Sequence, residues 1–280
     1  GPIAQAAIDS GISYLDCASE QCHHLRLQEL DQTAKKKGLL LVTAAGFIPG
    51  ISGVLAAHLA DRTPGAREAH VAFAQFRHAY ADAGHASMMT GILEGSERPM
   101  ALRDGRAVPV VIGKSFREMD FPTPFGRLRL IEAPSIEDLT VPPRCGLRDF
   151  HSWYYMGDAP VWLLGLIRAL RPNRWEWSYR LIERVMQRIN AADTKKAIAR
   201  GLGPEAALRV TVRGDAGETS GDILFRDGAI ATAVLPAMIA REFLAGRIKR
   251  RGLSSPLDLL DPAAVLQSLG DAALAVNLPD

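Results

Sequence analysis

Within its first fifty residues the chain runs strand, helix, strand and glycine-proline turn, and this order restricts the fold more than any other feature. The three segments are GISYLDCASEQ (11–21), LQELDQTAKKKG (27–38) and LLLVTAAGFIPG (39–50). Ile3, Ala6, Ala7 and Ile8 share a face of a short leading helix that stops at Ser10-Gly11, glycine being the natural residue past a helix end. Residues 12–15 then form a strand, and Asp16, Ser19 and Glu20 fall in the loop beyond its carboxyl end. Leu25, Leu27, Leu30 and Ala34 mark a helix whose last turn, Lys35-Lys36-Lys37, complements the helix dipole before Gly38 ends it. Residues 39–43 are apolar without alternation, as a strand covered on both faces requires, and 51–59 are helical again. This βαβ reads as the closing unit of a doubly wound nucleotide-binding sheet, whose Gly-rich phosphate loop belongs to the first unit. The sequence has no initiator methionine, and Gly1-Pro2 could be a cleavage scar. The expectation is therefore a chain truncated at its N-terminus, lacking roughly three βα units of about 30 residues each.

The rhythm changes at Arg62-Thr63-Pro64-Gly65, which marks a domain boundary. Beyond it, strands are expected at 68–77, 128–132, 147–155, 208–213 and 222–226, with a hairpin of 100–103 and 108–111 around Asp104-Gly105. Helices are expected at 86–93, 161–170, 175–190, 229–244 and within 256–269. The fold class is α/β: the C-terminal part of a Rossmann-type doubly wound sheet (1–65), plus an α+β second domain (66–227) with a helical insert at 160–200. A helical segment, 228–280, returns to the first domain.

Charge offers no global argument for nucleic acid: Lys+Arg 33 against Asp+Glu 31 leaves a net +2. Cys17, Cys22 and Cys145 are too few for a secreted disulfide scaffold, which points to a reducing, cytoplasmic setting. The apolar runs 159–170 and 229–240 fall short of the roughly 20 residues a spanning helix needs, and the second contains Pro236.

Several residue groups carry chemistry, each with a plainer alternative beside it. The turn Ala45-Gly46-Phe47-Ile48-Pro49-Gly50 joins a buried strand to a helix N-terminus, at the sheet edge where free backbone N–H groups and the helix dipole meet ligands. It also serves as an ordinary tight βα turn. Asp16 and Glu20 face the same edge, or else solvent beside a helix cap. Cys17, Cys22, His23 and His24 cluster without the second ligand pair a structural zinc site needs, so no metal is expected. Cys17 has no assignable His and acid partners as a nucleophile. His85 and Ser87 begin a helix, where they either cap it or hold a carboxylate or proton of a substrate. Arg168, Arg171, Arg174, Arg180, Arg184 and Arg188 interleave with Trp162, Trp175, Trp177 and Tyr179 around one apolar face. That segment packs on its own domain, meets a partner, or lies on an anionic membrane surface through 160–190. Residues 201–206, GLGPEA, have the spacing of a phosphate loop but lie between a helix and a strand, the wrong order. Gly113-Lys114-Ser115 lacks the earlier glycine of a Walker loop, position 108 being valine.

The order A-x-x-S-G-I-S-Y-L-D-x-x-S-E, then L-D-x-x-A-K-K-K-G-L-x-L-V-x-A-A-G-F-x-P-G-I-S, resembles the saccharopine dehydrogenase-like family of nicotinamide-dependent reductases. Phe121-Pro122-x-Pro124-Phe125-Gly126-Arg127 with Glu132-Ala133-Pro134 is similar to the same family's second domain. So are Thr232-Ala233, Leu244-x-Gly246, Gly252-Leu253 and Pro256-x-Asp258-Leu259-Leu260. The resemblance implies a Rossmann domain with an inserted α+β substrate and dimerisation domain, and hydride transfer with NADP or NAD at a C–N or C=O carbon of a small-molecule substrate. It further implies a homodimer. Three departures stand out: Ser19-Glu20 where Gly-Glu is common, Ile48 where an acid is frequent, and no G-x-G-x-x-G loop. On this basis Gly46, Phe47, Pro49 and Gly50 line the crevice beside the nicotinamide, while Asp16, Glu20, His85 and Ser87 face substrate. A fragment without the phosphate loop is expected to be inactive and to bind no NADPH in calorimetry. The alternative is a non-catalytic interaction or membrane-peripheral domain using the Arg/Trp helices.

Overall fold

The computed structural model describes residues 1–75, 99–112, 114–155 and 205–279, with the isolated positions 184, 188, 195, 199 and 201. The expected helices 86–93, 161–170 and 175–190, with His85, Ser87 and the Arg/Trp segment, lie outside the described residues apart from Arg184 and Arg188.

The opening βαβ forms as the sequence requires. Helix α1 (Pro2–Asp9) leads to strand β1 (Tyr14–Leu15), helix α2 (Gln21–Lys36) and strand β2 (Leu40–Val42), with β1 and β2 parallel. β1 is shorter than expected, and Ile12 is largely exposed. The buried face of α1 is Ala4 and Ile8, whereas Ile3 points to solvent. Helix α3 (Ile51–Ala60) follows β2 and is buried along its whole length, because every residue but Ser52 and His58 is apolar or glycine.

Strand β3 (Glu68–Gln75) enters a second sheet. A hairpin of β4 (Met100–Arg103) and β5 (Arg106–Pro109) turns at Asp104-Gly105, two residues earlier on its second arm than anticipated. Strands β6 (Phe116–Phe121) and β7 (Gly126–Glu132), helix α4 (Glu137–Cys145) and strand β8 (Asp149–Tyr154) follow. Strands β9 (Ala206–Gly214) and β10 (Gly217–Phe225) then lead to helix α5 (Gly228–Leu244). Strand β11 (Gly252–Ser254), a 3-10 turn (Pro256–Asp258), helix α6 (Pro262–Gln267) and strand β12 (Ala273–Asn277) complete the order.

The large sheet has seven strands in the order β12-β10-β9-β3-β8-β7-β6, antiparallel except where β3 pairs with β8 in parallel. Ala69, Val71 and Phe73 of β3, with Leu208, Val210 and Val212 of β9, form one apolar face packed on α3. The C-terminal segment also reaches the first sheet. β11 pairs in parallel with β2, giving the order β1-β2-β11. Ile239 of α5 and Ile248 bury themselves with Leu40, Val42 and Ala45. Helix α3 is thus the joint, following β2 of the small sheet and covering the large one.

Candidate functional site

Ligands of an open parallel sheet collect beyond the carboxyl ends of its strands, and here β1 and β2 end side by side. The Ala45 amide donates to the Asp16 carbonyl (3.1 Å), so the loop after β1 is tied to the turn after β2. An ideal Cβ on Gly46 would lie 3.2 Å from Cys17 Cβ and 3.5 Å from Thr232 Cγ2, which places the Cys17 loop and helix α5 against the turn. Ala44, buried at the end of β2, has φ 61°, a conformation that L-residues other than Asn and Asp seldom hold. Gly50, with φ 137°, folds the turn back so closely that a side chain there would collide with the Gly46 backbone.

Asp16 organises the polar side of this edge. Its Oδ1 accepts from Thr43 Oγ1 (2.8 Å) and from the Ala18 amide (3.0 Å), while Oδ2 lies 2.6 Å from His23 Nε2. The pair is partly exposed, with side-chain accessibilities of 20% for His23 and 14% for Asp16. Burial and a hydrogen bond to Asp16 push the Tyr14 phenol well above its ordinary pKa. Cys17 Sγ points at the Ala45 carbonyl (3.6 Å), and partial desolvation followed by the Asp16 charge raises its pKa, which opposes thiolate formation. Glu20 Oε2 accepts from the Ser19 amide (3.0 Å) at the start of α2. Asp16 and the 46–50 turn, expected on one edge, do adjoin.

The free amides expected at the start of α3 are not free. Glu137 of α4, itself 2% exposed, accepts from the Gly50 amide (2.8 Å), the Gly53 amide (2.6 Å) and Ser52 Oγ (2.6 Å). A carboxylate from elsewhere in the chain thus fills the position where helix dipole and N–H groups would hold an anion. Phe47 is 3% exposed, its ring set edge-on to Phe73 (5.3 Å) and Phe225 (4.5 Å), so its side chain belongs to the core. Helices α5 and α6 are closed in the same way, Asp227 accepting from the Ala229 amide and Asp261 from the Ala264 amide. Gly201 precedes β9, so the GLGPEA glycines stand before a strand. The starts of α3, α5 and α6 therefore offer no open cradle for the pyrophosphate of a dinucleotide.

Asp138 is also deeply buried. Its Oδ2 accepts from the Ser135 amide (2.9 Å) and Ser152 Oγ (2.8 Å), and Oδ1 has no partner among the described residues. Burial pushes this carboxyl up to about 7. Gln21 ties the start of α2 to the β4-β5 hairpin and to the loop before α4: its amide donates to the Met100 and Ser135 carbonyls (2.6 and 2.7 Å) and accepts from the Met100 amide (2.7 Å).

A third cluster sits on the other face of the large sheet, beside the apolar cluster of Ala72, Ala74 and Trp153, where Glu68, His70 and His151 could together surround a cation. Its hydrogen bonds argue otherwise. Trp153 Nε1–H donates to His70 Nδ1 (3.0 Å), so the neutral ring carries its proton on Nε2 and donates it to Glu68 Oε1 (2.7 Å). No lone pair of His70 remains for a metal. Burial, with His151, Arg117, Arg213 and Arg103 around it, lowers the His70 pKa to about 2. Glu132 receives His151 Nδ1 (3.0 Å) and a close ion pair from Arg103; these outweigh its burial and hold its carboxyl below the usual range.

Gln21, Thr43, Glu137 and Asp138 were not singled out as site residues from sequence, and His23 was weighed there only as a metal ligand. A signal for Glu137 and Asp138 did exist: Ser135-Ile-Glu-Asp138 has the spacing of a capping box.

No protein-family model matches the chain, and no curated protein sequence does. Among solved structures it is similar to saccharopine dehydrogenase (L-Glu forming) from Saccharomyces cerevisiae, at 14% identity and a TM-score of 0.54 over 99% of this chain and 81% of that one. It is also similar to a homospermidine synthase from Legionella pneumophila solved in complex with NAD, at 12% identity and a TM-score of 0.58 over 99% of this chain and 72% of that one. The chain has a saccharopine dehydrogenase-like fold.

Proposed function

We propose that the chain forms the nicotinamide- and substrate-facing part of an NAD(P)-dependent oxidoreductase that exchanges hydride at a C–N or C=O carbon of a small molecule. The observation that supports this most is the meeting of Asp16, His23 and Thr43 with the 44–50 turn at the carboxyl edge of the parallel sheet. Fold alone carries the reaction class, since the relatives in structure share little sequence.

What these residues do is hold an imidazole at both nitrogens, Nε2 against Asp16 and Nδ1 3.2 Å from the Gly1 amino group, the second contact being the one a substrate would have to replace. Asp16 fixes the orientation of His23 through Nε2 and is itself fixed by Thr43 and the Ala18 amide. An oriented imidazole beside a carboxylate suits the proton that passes to or from nitrogen or oxygen when hydride is exchanged at the adjoining carbon. The pyrophosphate of the coenzyme finds no cradle at the starts of α3, α5 and α6 among the described residues. Homodimerisation is part of the same proposal, and light scattering of the purified protein checks it.

The site is tested by titrating reduced nicotinamide mononucleotide into isotope-labelled protein and following backbone amides by NMR. Saturable shifts at residues 16–18 and 43–46, weakened in Asp16→Asn, are expected. Absence of binding at millimolar ligand, or shifts confined to another face, contradicts the proposal.

A further inference from the structure

Cations gather at one end of the small sheet, although the whole chain carries a net charge of only +2. β2 and β11 run parallel, and the segments that lead into them meet: the Gly252 amide donates to the Leu39 carbonyl (2.8 Å), and an ideal Cβ on Gly252 would lie 2.6 Å from Lys35 Cε. Lys35-Lys36-Lys37 at the end of α2 thus adjoins the run 247–251, RIKRR, which leads from α5 into β11. Three of these seven cations have a carboxylate: Lys35 pairs with Asp31, Arg247 with Glu242 and Arg250 with Asp258. Among the described residues the other four have none. Lys37 Nζ donates to the Ile8 carbonyl (2.9 Å), Arg251 donates to the Ile248 and Arg250 carbonyls (3.1 and 2.8 Å), and Lys36 and Lys249 make no hydrogen bond or ion pair.

An apolar side chain stands among these charges. Leu244, the last residue of α5, is 84% exposed, more than any other large apolar side chain among the described residues. Arg241, three residues before it, and Arg247, three residues after it, share Glu242 as a partner. The loop that follows is held by the core: Ile248 is buried with Leu40 and Val42, and Phe243 packs against the same cluster. A fixed apolar tip among cations has the composition of a contact with lipid, in which the apolar group enters the boundary of the acyl region and Lys and Arg are drawn to a negative surface. Nucleic acid fits less well, because single strands stack on exposed rings, whereas Phe243 is half-buried with Arg251 over it (5.6 Å).

We propose that this end of the small sheet docks on an anionic membrane surface, with Leu244 at the acyl boundary and the lysines of α2 and the 247–251 run against the headgroups. The contact is peripheral, since no helix among the described residues is long and apolar enough to cross a membrane. Docking in this way leaves the carboxyl edge that holds Asp16 open, because the cations lie at the amino ends of β2 and β11. Helix α5 spans the two ends: Thr232 stands against the Gly46 turn, and Leu244 lies twelve residues, about 18 Å, farther along it. The proposal concerns a surface separate from the oxidoreductase edge and stands or falls independently of it.

The test is co-sedimentation of the full chain with vesicles of phosphatidylcholine alone and of phosphatidylcholine with about 30% phosphatidylserine, at about 0.1 M salt. Binding is expected to the phosphatidylserine vesicles only, and to fall roughly tenfold at about 0.5 M salt as the charges are screened. Lys36→Glu together with Lys249→Glu, at two exposed positions, should weaken it roughly tenfold, and Leu244→Ser severalfold. Arg106→Glu with Lys114→Glu changes the net charge equally and should weaken it far less. Both of these residues are exposed on the side of the β4-β5 hairpin and β6, and the hairpin is tied through Met100 to Gln21 at the start of α2, the end away from Lys35-Lys36-Lys37. Equal binding to both kinds of vesicle, sedimentation with neither, equal weakening by the two charge reversals, or tighter binding to a single-stranded oligonucleotide than to the vesicles overturns the proposal.

Discussion

Replacing Glu137 by alanine should destabilise the protein more than any surface change, because one side chain serves three donors at the joint between the two sheets. The Gly50 and Gly53 amides and the Ser52 hydroxyl all end on its carboxylate, which is buried. Each buried donor left without a partner costs about 1–3 kcal/mol. Water entering the vacated space recovers part of this, so Glu137→Ala should cost about 3–5 kcal/mol, a large share of the ~5–15 kcal/mol that holds a domain together. Glu137→Gln keeps an acceptor oxygen and gives up only the charge facing the helix dipole, about 0.5–2 kcal/mol. Part of that is returned, since burial raises the Glu137 pKa and so favours its neutral form. The sign with pH follows: a carboxyl whose folded pKa exceeds its unfolded value takes up a proton on folding, so its contribution declines as pH rises through that interval. Urea unfolding of the three proteins by circular dichroism, at pH 5 and pH 8, measures all of this. A Glu137→Ala protein within about 1 kcal/mol of the parent would refute the reasoning, as would Glu137→Gln costing as much as Glu137→Ala.

Four further outcomes are expected. Asp138, raised from 3.8 to about 7, should erode stability as pH rises from about 4 to 7, by roughly 2–4 kcal/mol; Asp138→Asn should remove that slope and gain on the parent at pH 8 in the same unfolding assay. His70 should stay neutral from pH 8 to pH 5, giving a flat nitrogen-shift titration, and zinc at equimolar concentration should leave Trp153 fluorescence unchanged because its indole N–H already occupies His70 Nδ1. Phe47→Ala should cost about 3–5 kcal/mol in thermal or urea unfolding, the signature of a core ring. Gly50→Ala, which places a Cβ against the Gly46 backbone at φ 137°, should accumulate as insoluble protein or unfold at markedly lower urea.

Much of this architecture is legible in the sequence where signals are local. The lysine-rich end of α2 before Gly38, the unbroken apolar run of β2 and the Asp104-Gly105 turn all specify their elements within a few residues, and each forms nearly as expected. Helix α4 was not legible, because Pro142 and Pro143 within it look like a stop, although Asp138 accepts from the Ser135 amide and Ser135 Oγ from the Glu137 amide at its start. β11 is three residues long and exists only by pairing with β2 some 210 positions earlier in the chain, a relation no local pattern encodes. β6 and β12 also went unseen; each is an edge strand of the large sheet, where weak alternation suffices.

The candidate site divides along the same line. Asp16 was visible because a strand followed by a polar loop marks a sheet edge. Its link to His23 depends on where α2 starts, and the binding of α3's amides by Glu137 depends on a helix more than 80 residues away. A tight Gly-Pro turn looks the same in sequence whether its neighbouring amides face a ligand or a buried carboxylate. Phe47 likewise suits either a crevice or a core, and the packing of Phe73 and Phe225 around it decides for the core.

The central proposal is that the carboxyl edge of the small sheet is the nicotinamide side of a coenzyme site, with Glu137 rather than a pyrophosphate at the start of α3. Titration calorimetry with NADPH and with reduced nicotinamide mononucleotide compares the two sides directly. Neither should give a measurable isotherm at micromolar concentration, because the adenosine diphosphate portion finds Glu137 where the start of α3 would hold it. NADPH binding at micromolar concentration, far tighter than the mononucleotide, would contradict the account.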